Sequence, residues 1–316
     1  MSKLKVTTVL GTRPEIIRLS RVIARLDQFA DHRIVHTGQN WDYELNEVFF
    51  SDLGLRKPDA FLGVDTTSLG TVLGGILIEV EKEFKANRPD ALLVLGDTNS
   101  AIAAIMARRM KIPIYHMEAG NRSFDQNVPE ETNRRLVDHI SDFNLVYTEH
   151  ARRHLLSEGL PHRRVYLTGS PMREVLDHYR PQIETSDVLS RLDLRPGGYF
   201  IVSLHREENV DSKERLGALV TALNRIAERF DMPVIVSTHP RTRKRFDMLE
   251  DMTLDPRVQY LKPFGFHDYN HLQMHARCAI SDSGTIAEES SILDFAAITP
   301  RDARQFFARC GYGIAK

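Results

Sequence analysis

Short apolar runs alternate with amphipathic stretches along this chain, and that alternation restricts the fold more than any other feature. "KVTTVLG" (5–11) reads as a strand, and "PEIIRLSRVIARLDQF" (14–29) as a helix with Ile17, Val22, Ile23 and Leu26 on one face. "HRIVHTG" follows as a second strand. "ALLVLGD" (91–97) is almost continuously apolar, the mark of a strand buried on both faces of a parallel sheet. The helix "SAIAAIMARRM" and the strands "IPIYHME", "DFNLVYT" and "RRVYLTG" complete a first series. A second opens at "YFIVSLH" (199–205) and runs through "KERLGALVTALNRIAERF", "PVIVSTH", "VQYLKP" and "CAISDSG". Repeated βα units imply right-handed crossovers and two parallel sheets with helices on both faces. The composition break at 171–198, rich in Pro, Gly and polar residues, marks the boundary between them.

Ligands of open α/β sheets sit at the carboxyl ends of the strands. The polar residues there are Thr12-Arg13, Asp97-Thr98, Glu118, His205-Arg206, His239 and Ser281–Gly284. If two such sheets face each other, all six sets line one cleft. Composition excludes other classes. Of 316 residues 42% are hydrophobic and 27% charged, as in globular proteins. The formal net charge of −1 gives no global field toward nucleic acid or an acidic membrane. The N-terminus carries no signal-peptide pattern and no run approaches a membrane span, so a cytoplasmic protein is expected. Cys278 and Cys310 offer neither a metal spacing nor a disulfide framework.

Taken singly, the motifs leave alternatives open. "GTRPE" (11–15) either lets Arg13 grip a phosphate or is a simple βα turn, and neither a full G-x-G-x-x-G nor a Walker lysine is present. "HMEAGNRSFDQNVPEETNRR" (116–135) either poises carboxylates for proton transfer or is a solvated charged loop. His205 in "SLHREEN" suits proton chemistry, phosphate binding or simple structure equally. "STHPRTRKR" (237–245) is a basic run without interleaved aromatics, better read as a solvated helix start than as an RNA contact. "SDSGTIAEE" (281–289) turns from strand to helix and exposes N–H groups to an anion, or is an ordinary N-cap.

Together, "GTRPE", "TGQN", "GDTNS", "HMEAGNR", "PEETNRR", "TGSP", "HREENVD", "STHPRT" and "SDSGTIAEES" stand in the order and spacing of one family. The chain resembles the non-hydrolysing UDP-N-acetylglucosamine 2-epimerases from about residue 4 to about residue 303. "HTGQNWDYELNEVFF", "STHPRTRKR" and "SDSGTIAEESSIL" look most like the UDP-N-acetyl-L-fucosamine synthase branch. The resemblance implies a GT-B-like α/β fold: an N-terminal Rossmann-like domain at 1–172, a UDP-binding one at 173–303, and a cleft between them. It implies a homodimer, a UDP-sugar substrate, a role in surface polysaccharide synthesis, and neither a cofactor nor a metal. Nucleic acid and membrane are not expected as partners. In this chemistry the C2 proton is removed, UDP leaves C1, and an enzyme-bound 2-acetamidoglycal is reprotonated from the opposite face. Carried over by motif, the catalytic groups are Asp97, Glu118, Glu130 and His205. The substrate-binding residues are Arg13, Arg18, Tyr269, Ser283, Gly284, Thr285 and Glu289, with Arg18 standing where many relatives have lysine. The tail 304–316, "RQFFARCGYGIAK", matches nothing in the family pattern, which reads as a truncated second domain and an impaired UDP site. A GT-B glycosyltransferase and a catalytically impaired UDP-sugar binder are the alternatives.

Overall fold

The computed structural model describes residues 3–38, 43–204, 213–238 and 255–300. These divide into two compact units, one up to Val175 and the other from Leu176 onward. In the first, strands β1 (Lys5–Leu10), β2 (Asp31–His36), β3 (Ala60–Phe61), β4 (Ala91–Leu95), β5 (Ile114–Ala119), β6 (Phe143–Val146) and β7 (Val165–Leu167) form one sheet. Its order is β3-β2-β1-β4-β5-β6-β7, parallel throughout. The direction of winding reverses between β1 and β4, where an open parallel sheet leaves its ligand crevice.

The helices of this unit are α1 (Arg13–Phe29), α2 (Tyr43–Asp52), α3 (Leu69–Ala86), α4 (Ala103–Arg109), α5 (Pro129–Ile140) and α6 (Glu149–Ser157), with α7 (Met172–Glu184) running into the second unit. Pro14 lies in the first turn of α1 and Pro129 in that of α5, where the missing N–H costs nothing. Ser68 caps α3 through a reciprocal capping box with Thr71. The buried stripe of α1 differs from the expected one: Ile16, Leu19 and Ile23 face the sheet, while Ile17 and Val22 are only half-buried. The stripe is turned because Glu15 and Arg18 also point inward. A core of Val9, Val35, Leu92, Val94 and Ile114 packs under Ile76, Val80 and Phe84 of α3 and Ala103, Ala104 and Ala107 of α4. The small residues of α4 let helix and sheet approach closely.

In the second unit β8 (Phe200–Ser203), β9 (Val234–Ser237), β10 (Val258–Leu261), β11 (Cys278–Ser281) and β12 (Ala297–Ile298) form a parallel sheet of order β10-β9-β8-β11-β12. Its winding reverses between β8 and β11. β3 and β12, two residues each, carry too little apolar pattern to be read from sequence. No helix among the described residues is long and apolar enough to cross a membrane.

Candidate active site

In the first unit the polar groups gather at the β1/β4 switch point. Glu15, the third residue of α1, is fully buried. Its carboxylate accepts from the Gly11 N–H at 3.0 Å, the Thr12 hydroxyl at 2.7 Å and the Ser100 hydroxyl. One side chain thus joins the turn after β1 to the turn after β4. Burial pushes its pKa up, and the bonds from Ser100, Thr12 and Gly11 offset that only in part. The T-x-x-E spacing of Thr12 and Glu15 was the available signal, although the sequence reading assigned Glu15 no role.

One turn further along α1, Arg18 forms an ion pair with Glu118 of β5, and both side chains are 3% exposed. A buried pair of this kind is costly to assemble and costlier to break, about 3–5 kcal/mol when one partner is removed. Glu118 has φ +62°, a left-handed backbone inside a strand, at a bulge where the pairing of β5 with β6 shifts between Met117 and Ala119. For a residue with a Cβ that conformation costs roughly 1–2 kcal/mol and persists only where neighbours impose it. The bulge turns Glu118 toward the turn after β4: a Cβ at Gly96 would lie 3.8 Å from its Oε2. Asn121 Nδ2 donates to its other oxygen at 3.2 Å.

Asp97 follows Gly96. Its carboxylate accepts from Arg134 Nε at 3.0 Å and Nη2 at 2.5 Å, and its carbonyl from Asn133 Nδ2 at 3.0 Å. Arg134, itself buried, also donates to Glu131 at 3.0 Å. The two adjacent glutamates at the start of α5 differ sharply. Burial pushes the Glu131 carboxyl up, but the amide and hydroxyl of Ser123, then Arg135 and Arg134, outweigh it and hold it below the usual range. The Glu130 side chain is half-buried and makes no hydrogen bond or ion pair among the described residues. Arg13 is half-buried, with its guanidinium 5.6 Å from the centre of the Phe49 ring.

Beneath Glu118 lies a buried network that the sequence reading missed. His116 Nε2 donates to the Gly96 carbonyl at 2.8 Å, and its Nδ1 lies 3.0 Å from Asp138 Oδ1. Asp138 accepts from the Gly120 N–H at 3.1 Å and from Arg122 Nη1 at 2.7 Å. Arg122 completes the chain with two parallel bonds to Glu158, at 2.7 and 2.6 Å. Burial raises the Glu158 carboxyl, but Arg122 and His139 outweigh it and hold it at about 2. No local spacing links His116, Asp138 and Glu158, so no pattern announced them.

In the second unit the ends of β8 and β11 bear Ser203 and Ser281, which pair in register. The Tyr269 hydroxyl lies beside both serines, and burial, then the charge of Glu289, push its pKa up. The Ser283 N–H donates to Ser281 Oγ at 3.1 Å, and the hydroxyls of Ser283 and Thr285 lie 2.8 Å apart. The helix Ile286–Leu293 takes Thr285 as its N-cap, without a side-chain capping bond; the Ser283 hydroxyl accepts from the Thr285 N–H at 3.3 Å instead. Glu289 accepts from the buried Gln273 amide at 3.0 Å, a partner absent from the sequence reading. Gly284 sits within this turn. His205 and His239 lie outside the described residues, as does the tail 304–316. No group of three His, Cys, Asp or Glu able to hold a metal occurs among the described residues.

The family model for UDP-N-acetylglucosamine 2-epimerase matches residues 24–308. The chain belongs to this family. A solved UDP-N-acetylglucosamine 2-epimerase from Rickettsia bellii is 47% identical, with a TM-score of 0.87 over 96% of this chain and 80% of that one. The Methanocaldococcus jannaschii UDP-GlcNAc 2-epimerase, solved with UDP-GlcNAc and UDP, is 37% identical, with a TM-score of 0.88 over 96% and 85%. A UDP-2,3-diacetamido-2,3-dideoxy-D-glucuronate 2-epimerase from Pseudomonas aeruginosa is 33% identical over 98% of this chain and 88% of its own length. The epimerase family consists of isomerases, and the two parallel sheets described above are those of its GT-B-like fold. The family is therefore broader than one sugar: the relatives named here differ in the substituents their hexosamine carries.

Proposed function

We propose that the chain epimerises a UDP-N-acetylhexosamine at C2 by elimination and re-addition of UDP. In the forward half, a base removes the C2 proton, the C2–H electron pair forms the C1=C2 bond, and the C1–O bond breaks to release UDP. In the return half, UDP attacks C1 while an acid delivers a proton to the other face of C2. Such a sequence needs two acid/base groups on opposite sides of one carbon and donors for a departing diphosphate. Glu118, Asp97 and Glu130 are the carboxylates assigned to the first requirement, with His205 as a further proton-transfer group. Arg13 and the Ser283-Gly284-Thr285 turn meet the second, Glu289 accepts the ribose hydroxyls, and Tyr269 borders the nucleoside. Arg18 pairs with Glu118 and aims it.

The observation that carries this reading is Glu118, a buried carboxylate paired to Arg18 and held in a left-handed backbone beside the β1/β4 switch point. A fold gains nothing in stability from a strained, desolvated glutamate, so the arrangement fits a proton-transfer role. The motifs in "SDSGTIAEESSIL" and "HTGQNWDYELNEVFF" support the UDP-N-acetyl-L-fucosamine branch and hence a place in surface polysaccharide synthesis. Incubation with UDP-GlcNAc and with the 6-deoxy L-talosamine-type UDP-sugar in D2O, followed by NMR, tests both points. Deuterium at C2 of one substrate is expected, with no net oxidation. Turnover without deuterium at C2 would overturn the mechanism, and labelling of UDP-GlcNAc alone would overturn the branch.

A further inference from the structure

The strained conformation of Glu118 must be imposed by something, and the residues on either side of it identify the agent. Two positions before it, His116 lies 3.0 Å from Asp138 through Nδ1. Two positions after it, the Gly120 N–H donates to both oxygens of the same carboxylate, at 3.1 and 3.2 Å. Arg122, four positions after, donates to Asp138 at 2.7 Å. Asp138 therefore holds the strand end beyond Glu118 through Gly120 and Arg122, and packs against the His116 ring before it, whose Nδ1 makes no hydrogen bond. The other face of His116 donates to the carbonyl of Gly96, the residue before Asp97, at 2.8 Å. His116 and Asp138 are fully buried, and Arg122 is 1% exposed. None of the three can contribute to solvation or to surface charge.

We infer that Asp138 and His116 are positioning residues that clamp the Glu118 bulge to the Asp97 turn, setting the spacing of two acid/base groups through the backbone. The clamp acts from beneath the sheet end. Asp138 belongs to α5, which also carries Glu130 and Arg134, so one helix registers all three carboxylates assigned to proton transfer. The inference rests on the epimerase reading for its catalytic consequence, but not for its structural one. Small displacements at reacting groups cost far more in turnover than in binding, because the near-attack geometry is lost while ground-state contacts survive.

The test uses the full chain with His116→Phe, His116→Gln and Asp138→Asn. Phenylalanine fills the ring volume but cannot hold Gly96, whereas the glutamine amide can still donate to that carbonyl. With the UDP-sugar that the parent chain labels at C2, the expected result is a fall in kcat of about 100-fold for His116→Phe, with KM within threefold of the parent. His116→Gln is expected to recover at least tenfold of that loss, and Asp138→Asn to resemble His116→Phe. Crystal structures of the variants supply a readout independent of turnover: in His116→Phe and Asp138→Asn, Glu118 is expected to leave the left-handed region. Glu118 retained at positive φ in both variants would overturn the clamp, whatever the substrate proves to be. Parallel losses of kcat, KM and melting temperature, with Gln no better than Phe, would reduce the pair to a merely structural role. Absence of C2 labelling in the parent chain would sink the epimerase reading alone, leaving the crystallographic outcome to decide the clamp.

Discussion

Arg18 and His36 illustrate, at the scale of single residues, how the same burial serves different ends. Arg18 offsets the charge of Glu118, and lysine at this position keeps the charge but not the planar fork. Arg18→Lys should keep turnover within about tenfold, whereas Arg18→Met should abolish it and destabilise the fold by about 3–5 kcal/mol, measured by urea unfolding. His36, 1% exposed and stacked on Phe61 with ring centroids 5.2 Å apart, accepts from the Gly38 N–H at 3.0 Å through Nδ1. Burial lowers its pKa to about 4, so the folded state keeps it neutral. In the unfolded chain it binds a proton below about pH 6.5, so its contribution is complete above that value and is lost as pH falls toward 4. Stability should therefore drop by about 2 kcal/mol between pH 7 and pH 5 from this residue alone. In His36→Gln that step should shrink; an unchanged step would show that another group titrates.

Between strand and helix, local chemistry decides more than apolar pattern does. Gly120, with φ +79°, ends the Glu118 bulge, and a Cβ there would meet the Ala151 carbonyl oxygen of α6 at 2.4 Å. Gly120→Ala combines an unfavourable backbone with a clash that only α6 can relieve by moving. A loss of about 2–4 kcal/mol and a lower melting temperature are expected. Ser68→Ala, which removes the reciprocal cap of α3, should cost only about 1 kcal/mol, because the cap is exposed. The contrast is measurable in one set of thermal melts. Sequence periodicity located α1 and the strand β4, but not the inward turn of α1. Its buried face includes Glu15 and Arg18, which no hydrophobic pattern includes.

At the scale of the whole molecule, the two sheets share one winding plan, and each gathers its polar residues where that winding reverses. The first holds carboxylates and guanidinium groups; the second holds the serine-rich turn, Tyr269 and Glu289. If UDP binds as proposed, it should protect backbone amides around Ser281–Glu289 from hydrogen exchange and leave those of β5 and α5 unchanged. At 100 times Kd it should stabilise the binding unit by about 2.7 kcal/mol. Protection centred on β5 would place the nucleotide on the wrong sheet and reverse the assignment of the two units.

What the sequence determined by itself is what local spacing and order encode: parallel βα architecture, the strand ends that bear polar residues, and family membership through motifs held in a fixed order. Asp97 and Glu118 stand out in the sequence as polar residues at the close of the apolar runs "ALLVLGD" and "IPIYHME". The tertiary structure alone decided which of these groups are paired and which remain available. Glu131 is saturated by Ser123, Arg134 and Arg135, while its neighbour Glu130 is not, though the sequence presents them as equals. It also decided that Glu118 is strained and that Asp138, 20 residues further along the chain, accepts from Gly120 and Arg122 just beyond it. Backbone sign and hydrogen-bond partnership depend on groups brought together by sheet order, and no periodicity along the chain records them.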